Sequence, residues 1–110
     1  MQIKEATNYT LITSDENSLK EFQKSVFEKI NTFETAHLIL RISEDINIEN
    51  KEFLLFLSVA EQKQENSTSF VIVNATINAD DYPENLNIVP TLQEAEDILE
   101  METIERALGF

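Results

Sequence analysis

His37-Leu38-Ile39-Leu40-Arg41-Ile42 is the stretch on which the fold turns. It is a nearly continuous apolar run with no Gly or Pro, the pattern of a central strand covered on both faces rather than wetted on one. Ser69-Phe70-Val71-Ile72-Val73-Asn74 repeats the pattern further along. Between the two lies a helical segment, opening at Asn50 and ending across residues 61–66, with Phe53, Leu54, Phe56, Leu57 and Ala60 on a broad inward face. A strand reached from another through a helical crossover lies parallel to it, so these two runs predict the parallel heart of an α/β sheet.

Toward the N-terminus, residues 3–7 and 9–14 are short β-prone runs parted at Asn8, which predicts a hairpin or a bent strand. Ser18-Leu19-Lys20-Glu21 then forms a capping box, and Leu19, Phe22, Val26 and Ile30 recur at helical spacing. Phe27 and Phe33 widen that stripe, while Lys20, Glu21, Lys24 and Glu28 face water. Residues 43–49 form a polar connection holding Ile46 and Ile48.

Toward the C-terminus, residues 75–86 are rich in Asn, Asp and Pro and predict a loop, and Asn87-Ile88-Val89 suits one more short strand. A second capping box, Thr91 with Glu94, opens a last helix. Its apolar residues Ile98, Leu99, Met101, Ile104 and Leu108 are expected to pack inward, with a phase slip near Glu100 that predicts a bend or two abutting helices before Gly109. The resulting expectation is one α/β domain over residues 1–110. Its mixed, mostly parallel sheet has four to five strands, packed with three to four helices.

The composition supports a folded chain: of 110 residues, 42% are hydrophobic and 26% charged. The 21 acidic against 8 basic residues give a formal net charge of -13, which repels a phosphate backbone, so no nucleic acid is expected as a partner. The same field favours a protein partner with a basic face, and it also keeps the chain soluble. No apolar run approaches the roughly 20 residues of a membrane span, and the start of the chain has no signal core. With no cysteine for disulfides or thiolate chemistry, the expected compartment is the cytoplasm.

Catalytic motifs are scarce. The single glycine, Gly109, rules out the Gly-rich phosphate loops and the nucleophile elbow. His37 is the only histidine, so two-histidine acid/base or metal arrangements are not available within one chain, and its place at a strand start reads as structural. Asp80, Asp81 and Glu84 fit no EF-hand spacing and read as a solvated loop. Glu94, Glu96, Asp97, Glu100, Glu102 and Glu105 read as the wet face of the last helix. No metal or cofactor is expected, and the chain reads as a non-enzyme.

The element order, the strand His37-Leu38-Ile39-Leu40-Arg41-Ile42, the polar connection after it, the apolar helix and the entry Pro90-Thr91-Leu92-Gln93-Glu94-Ala95 together resemble a STAS domain over about residues 9–108. That family includes the anti-sigma factor antagonists and the cytosolic domains of sulphate transporters. In it a partner kinase phosphorylates the second serine of an Asp-Ser-Ser-Gly motif between the central strand and the next helix. Those places fall here on Glu49, Asn50, Lys51 and Glu52. The serine is replaced by Lys51 and the glycine by Glu52, so the resemblance implies a docking surface without a phosphorylation switch. The implied partner is a kinase-like or other regulatory protein, meeting residues 43–52, through Asp45, Asn47, Glu49, Asn50, Lys51 and Glu52, and the exposed start of the helix that follows. Rival readings are a small enzyme or an accessory subunit of an enzyme, using His37 with nearby acids, and a self-associating or purely structural domain such as a homodimer.

Overall fold

The computed structural model describes residues 1–46, 48 and 53–109. Its centre is the pair predicted above: Leu38–Arg41 (β3) lies parallel to Phe70–Val73 (β4), in register Leu38 to Phe70 and Arg41 to Val73. Gln2–Glu5 (β1) and Thr10–Thr13 (β2) form an antiparallel hairpin, and β2 runs parallel to β3. Asn87–Val89 (β5) adds parallel to β4. The five strands stand in the order β1-β2-β3-β4-β5, so every strand neighbours its predecessor in the chain. The protein is therefore α/β with a mixed, mostly parallel five-stranded sheet.

Alternation along the strands splits the core in two. Ile12, Leu38, Leu40, Phe70, Ile72 and Ile88 point to one face, where Leu19, Phe22 and Val26 of Leu19–Lys29 (α1) cover them. Phe53, with Phe56, Val59 and Ala60 of Phe56–Glu65 (α2), and Leu86 of the 74–86 connection complete that layer. Phe56 meets the rings of Phe22, Phe27 and Phe53 edge-on at centroid separations of 6.4, 6.0 and 5.8 Å, a spacing at which aromatic pairs add to simple burial. All three crossovers pass over this face because strands added in one direction by right-handed crossovers place every connection on the same side. Leu11, Ile39, Val71 and Val73 point the other way and are covered by Ala95 and Leu99 of Leu92–Ala107 (α3).

The helix ends follow their sequence signals. Ser18 Oγ accepts from the Glu21 N–H at 3.2 Å, and Thr91 Oγ1 accepts from the Glu94 N–H at 3.2 Å. After α2 the chain turns through Ser67 at φ +60°, with the Ser67 N–H bonding to Gln64 O and the Thr68 N–H reaching back to Lys63 O. That is the six-to-one and five-to-two pairing of a helix stop that ordinarily selects glycine. The 75–86 loop contains one tight 3-10 turn, Ala79–Asp81.

Three expectations need correction. Leu54, expected inward, is 42% exposed, because the helical line that faces the sheet is Phe53, Phe56, Val59, Ala60 and Lys63. Phe27, expected to extend the inward stripe of α1, lies at the exposed edge of the aromatic cluster. α3 is not two abutting helices: one continuous helix runs from Leu92 to Ala107. The phase slip instead carries the apolar residues off the sheet. Met101, Ile104 and Leu108 are exposed, and the line continuing Ala95 and Leu99 inward is Glu102 and Arg106, both half-buried.

Candidate functional site

All four parallel strands end on one edge of the sheet, at Thr13, Arg41, Val73 and Val89. The segments leaving that edge are laced together by short polar side chains. Ser14 Oγ accepts from the Ser43 N–H at 2.7 Å, joining the ends of β2 and β3. Asn74 Nδ2 donates to Ile42 O at 3.1 Å, joining β4 to β3, while its Oδ1 accepts from the Thr76 N–H and hydroxyl at 2.8 and 2.6 Å. Ser14 and Asn74 are buried, so these bonds lie out of competition with water and fix the loop bases firmly.

Asp45 stands on this base, exposed, with its N–H donating to Ser43 Oγ at 3.2 Å. Ile46 turns back into the core and Ile48 is half-buried against it. Asn47, Glu49, Asn50, Lys51 and Glu52 lie outside the described residues. On the β2 side the Met1 amino group contacts the carboxylates of Asp15 and Glu16, the latter at 2.9 Å. Burial alone would raise the Glu16 carboxyl, but the ammonium and the Asp15 N–H hold it below the usual carboxylate range.

Beside the edge, at the entry to α2, Leu54 and Leu55 are exposed, Leu55 by 54%. Leu55 borders an open apolar hollow of about 440 Å³ shared with Lys20, Gln23, Lys24, Phe27 and Glu28 of α1. Leu55 and the edge of Phe27, rimmed by Lys20 and Lys24, stand out on a chain with only 8 basic residues. Sequence reasoning did not single out Leu55. The signal was present: Phe53-Leu54-Leu55-Phe56-Leu57 is longer than one helical face can bury, so some of its members had to face outward.

The opposite edge of the sheet holds His37. Its Nδ1 accepts from the Ser69 N–H at 2.9 Å, which ties the starts of β3 and β4 together and leaves the proton of the neutral ring on Nε2. Desolvation, then the Arg106 and Lys63 cations, lower its pKa from the ordinary value. Arg106 Nη2 donates to Ser69 Oγ at 3.1 Å and Asn87 Nδ2 to Glu102 Oε2 at 3.4 Å, so the inward polar line of α3 is partnered. Among the described residues no three acidic or histidine side chains converge as a metal-holding group. Asp80 and Asp81 lie exposed in the 3-10 turn, with the Asp80 N–H donating to Asn78 Oδ1 at 3.1 Å. Also among the described residues, no helix is long and apolar enough to cross a membrane.

The strand order bears on what such a site can do. In open α/β sheets small ligands lodge where the strand order reverses and neighbouring loops part. Here the order never reverses, so the carboxyl edge lacks the switch point at which such ligands lodge. No protein-family model matches the chain, and no curated protein is significantly similar to it.

Proposed function

We propose that the chain is a non-enzymatic, STAS-like interaction domain that docks a regulatory protein at the carboxyl edge of its sheet and the entry to α2. The observation that carries this reading is the exposed Leu54–Leu55 pair, set beside a loop base laced by Ser14, Ser43 and Asn74. Rigid presentation of apolar groups lowers the ordering cost of association, so even a small patch of this kind contributes useful affinity. Exposed large side chains in a contiguous group, rimmed by polar ones, are the ordinary mark of a protein contact.

The unbroken strand order supports a docking surface over a substrate crevice. Lys51 and Glu52, where the family carries its phosphorylatable serine and glycine, favour binding without a phosphorylation switch. A domain of this kind would be regulated through the abundance or state of its partner.

The test is retention of a partner by the wild-type chain beside a Leu54→Asp, Leu55→Asp variant. Capture from the native lysate, identification by mass spectrometry and reconstitution from purified components would each be carried out on both. The expected result is a loss of affinity of at least about tenfold in the variant with an unaltered thermal melt, as for removal of a buried apolar anchor. Equal affinity in the two proteins would remove this surface from the proposal.

A further inference from the structure

The second half of α3 is built inside out. Helices on a globular domain turn their apolar stripe to the core and their charges to water. From residue 101 onward this one does the reverse: Glu102 and Arg106 face the body of the protein and bond to Asn87 and Ser69. Met101, Ile104 and Leu108, spaced three and four apart, form an outward ridge with exposures of 53, 54 and 67%. The polar bonds beneath the helix hold its rotation, so the ridge cannot roll inward without breaking them. A groove of about 570 Å³ runs along one flank, between α3 and the start of β3, lined by Tyr9, His37, Leu99, Thr103 and Ile104 and walled by Glu96 and Glu100. Tyr9 donates its hydroxyl to Glu96 at 3.3 Å and steadies that wall.

We infer that the α3 ridge and its groove are a second docking surface, on the sheet face opposite the α2 entry, for a basic amphipathic helix of a partner protein. The apolar ridge selects an apolar stripe at i, i+3 and i+7 spacing, which is how a helix presents itself to such a surface. The exposed carboxylates of Asp97, Glu100 and Glu105, with Glu96, select lysines or arginines on either side of that stripe. Charge also chooses between a partner and a second copy. Each copy carries -13, and apposing two α3 helices would place these same carboxylates against one another. This surface is independent of the function proposed for the α2 entry.

The experiment uses the full chain and a fluorescein-labelled synthetic helix of 18 residues in which leucines at i, i+3, i+4 and i+7 are flanked by lysines. A scrambled peptide of identical composition controls for bare charge attraction. Anisotropy titrations would be run on the wild type, a Met101→Gln, Ile104→Gln, Leu108→Gln variant, and an Ile3→Gln variant that removes an exposed apolar group from β1. The substituted positions are exposed, and a circular-dichroism melt confirms that each variant folds. The expected result is binding of the patterned helix by wild type and Ile3→Gln, at least about tenfold weaker binding by the triple variant, and weaker binding as salt is raised. Equal binding of the patterned and scrambled peptides, or undiminished binding by the triple variant, would overturn the inference. So would wild-type dimerisation in sedimentation that the triple variant abolishes, since the occupant would then be a second copy.

Discussion

Lys63 shows how a single side chain escapes the rule by which charge reads as surface. It is buried on the inward line of α2, where its ammonium donates to the carbonyl oxygens of Phe33 and of Ala36, the latter at 2.7 Å. The Phe33 carbonyl also accepts from the Ala36 N–H in the turn after α1, so the lysine is a strut between α2 and the end of the 3-10 segment Ile30–Phe33. Burial pushes its pKa down to about 8 from 10.5, with the Glu34 carboxylate opposing. Between those two values the unfolded chain holds a proton that the folded protein has released, so stability rises with pH across the window. Below it the cost of the buried charge is felt in full. A Lys63→Met variant is therefore expected to lose the rise between pH 8 and 10.5 in urea-denaturation stability measured against wild type. Parallel pH profiles for the two proteins would show the lysine to be effectively solvated. Nothing in Glu61-Gln62-Lys63-Gln64-Glu65 marks this residue in the sequence, because a long aliphatic stem lets a lysine occupy an apolar line and its partners are main-chain carbonyls of another segment.

At the scale of elements, the Ser67 stop of α2 is a local strain. A left-handed φ of +60° costs a residue with a Cβ about 1 kcal/mol that glycine does not incur, part of it offset by the greater freedom of glycine when unfolded. Ser67→Gly is expected to stabilise the protein by a few tenths to about 1 kcal/mol in denaturant titration, whereas a loss of stability would mean that the hydroxyl contributes a bond worth more than the strain. The elements whose signal is local were legible. The capping residues Ser18 and Thr91 appear where their boxes place them, and the parallel pairing of β3 with β4 follows from two apolar runs and the helix between them. Legibility failed where an apolar residue has two available faces. Leu54, Phe27, Met101, Ile104 and Leu108 were all expected inward, and hydrophobicity alone cannot say which side of a crowded helix the sheet will take. In α3 the deciding partners are Asn87 and Ser69, which lie far from Glu102 and Arg106 in sequence. Of the candidate site, the polar connection after β3 was legible from its composition, but the lacing by Ser14 and Asn74 was not, since it joins three separate strand ends.

For the molecule as a whole, a formal charge of -13 on 110 residues makes self-repulsion a standing load on the folded state. Raising sodium chloride from about 20 to about 300 mM shortens the screening length to well under 10 Å and is expected to raise the melting temperature by several degrees. A flat or falling melting temperature would show that attractive pairs outweigh the repulsion. The two-sided core carries a different consequence. On one face of the sheet, α1, α2 and the 74–86 connection arrive in step with the strands they cover. On the other, Leu11, Ile39, Val71 and Val73 wait for Ala95 and Leu99. A ribosome that has delivered every strand still holds back the helix that shields this second face. The growing chain thus exposes a sticky, strand-lined surface until residues 92–107 clear the exit tunnel, and that interval is when a holding chaperone has the most to grip.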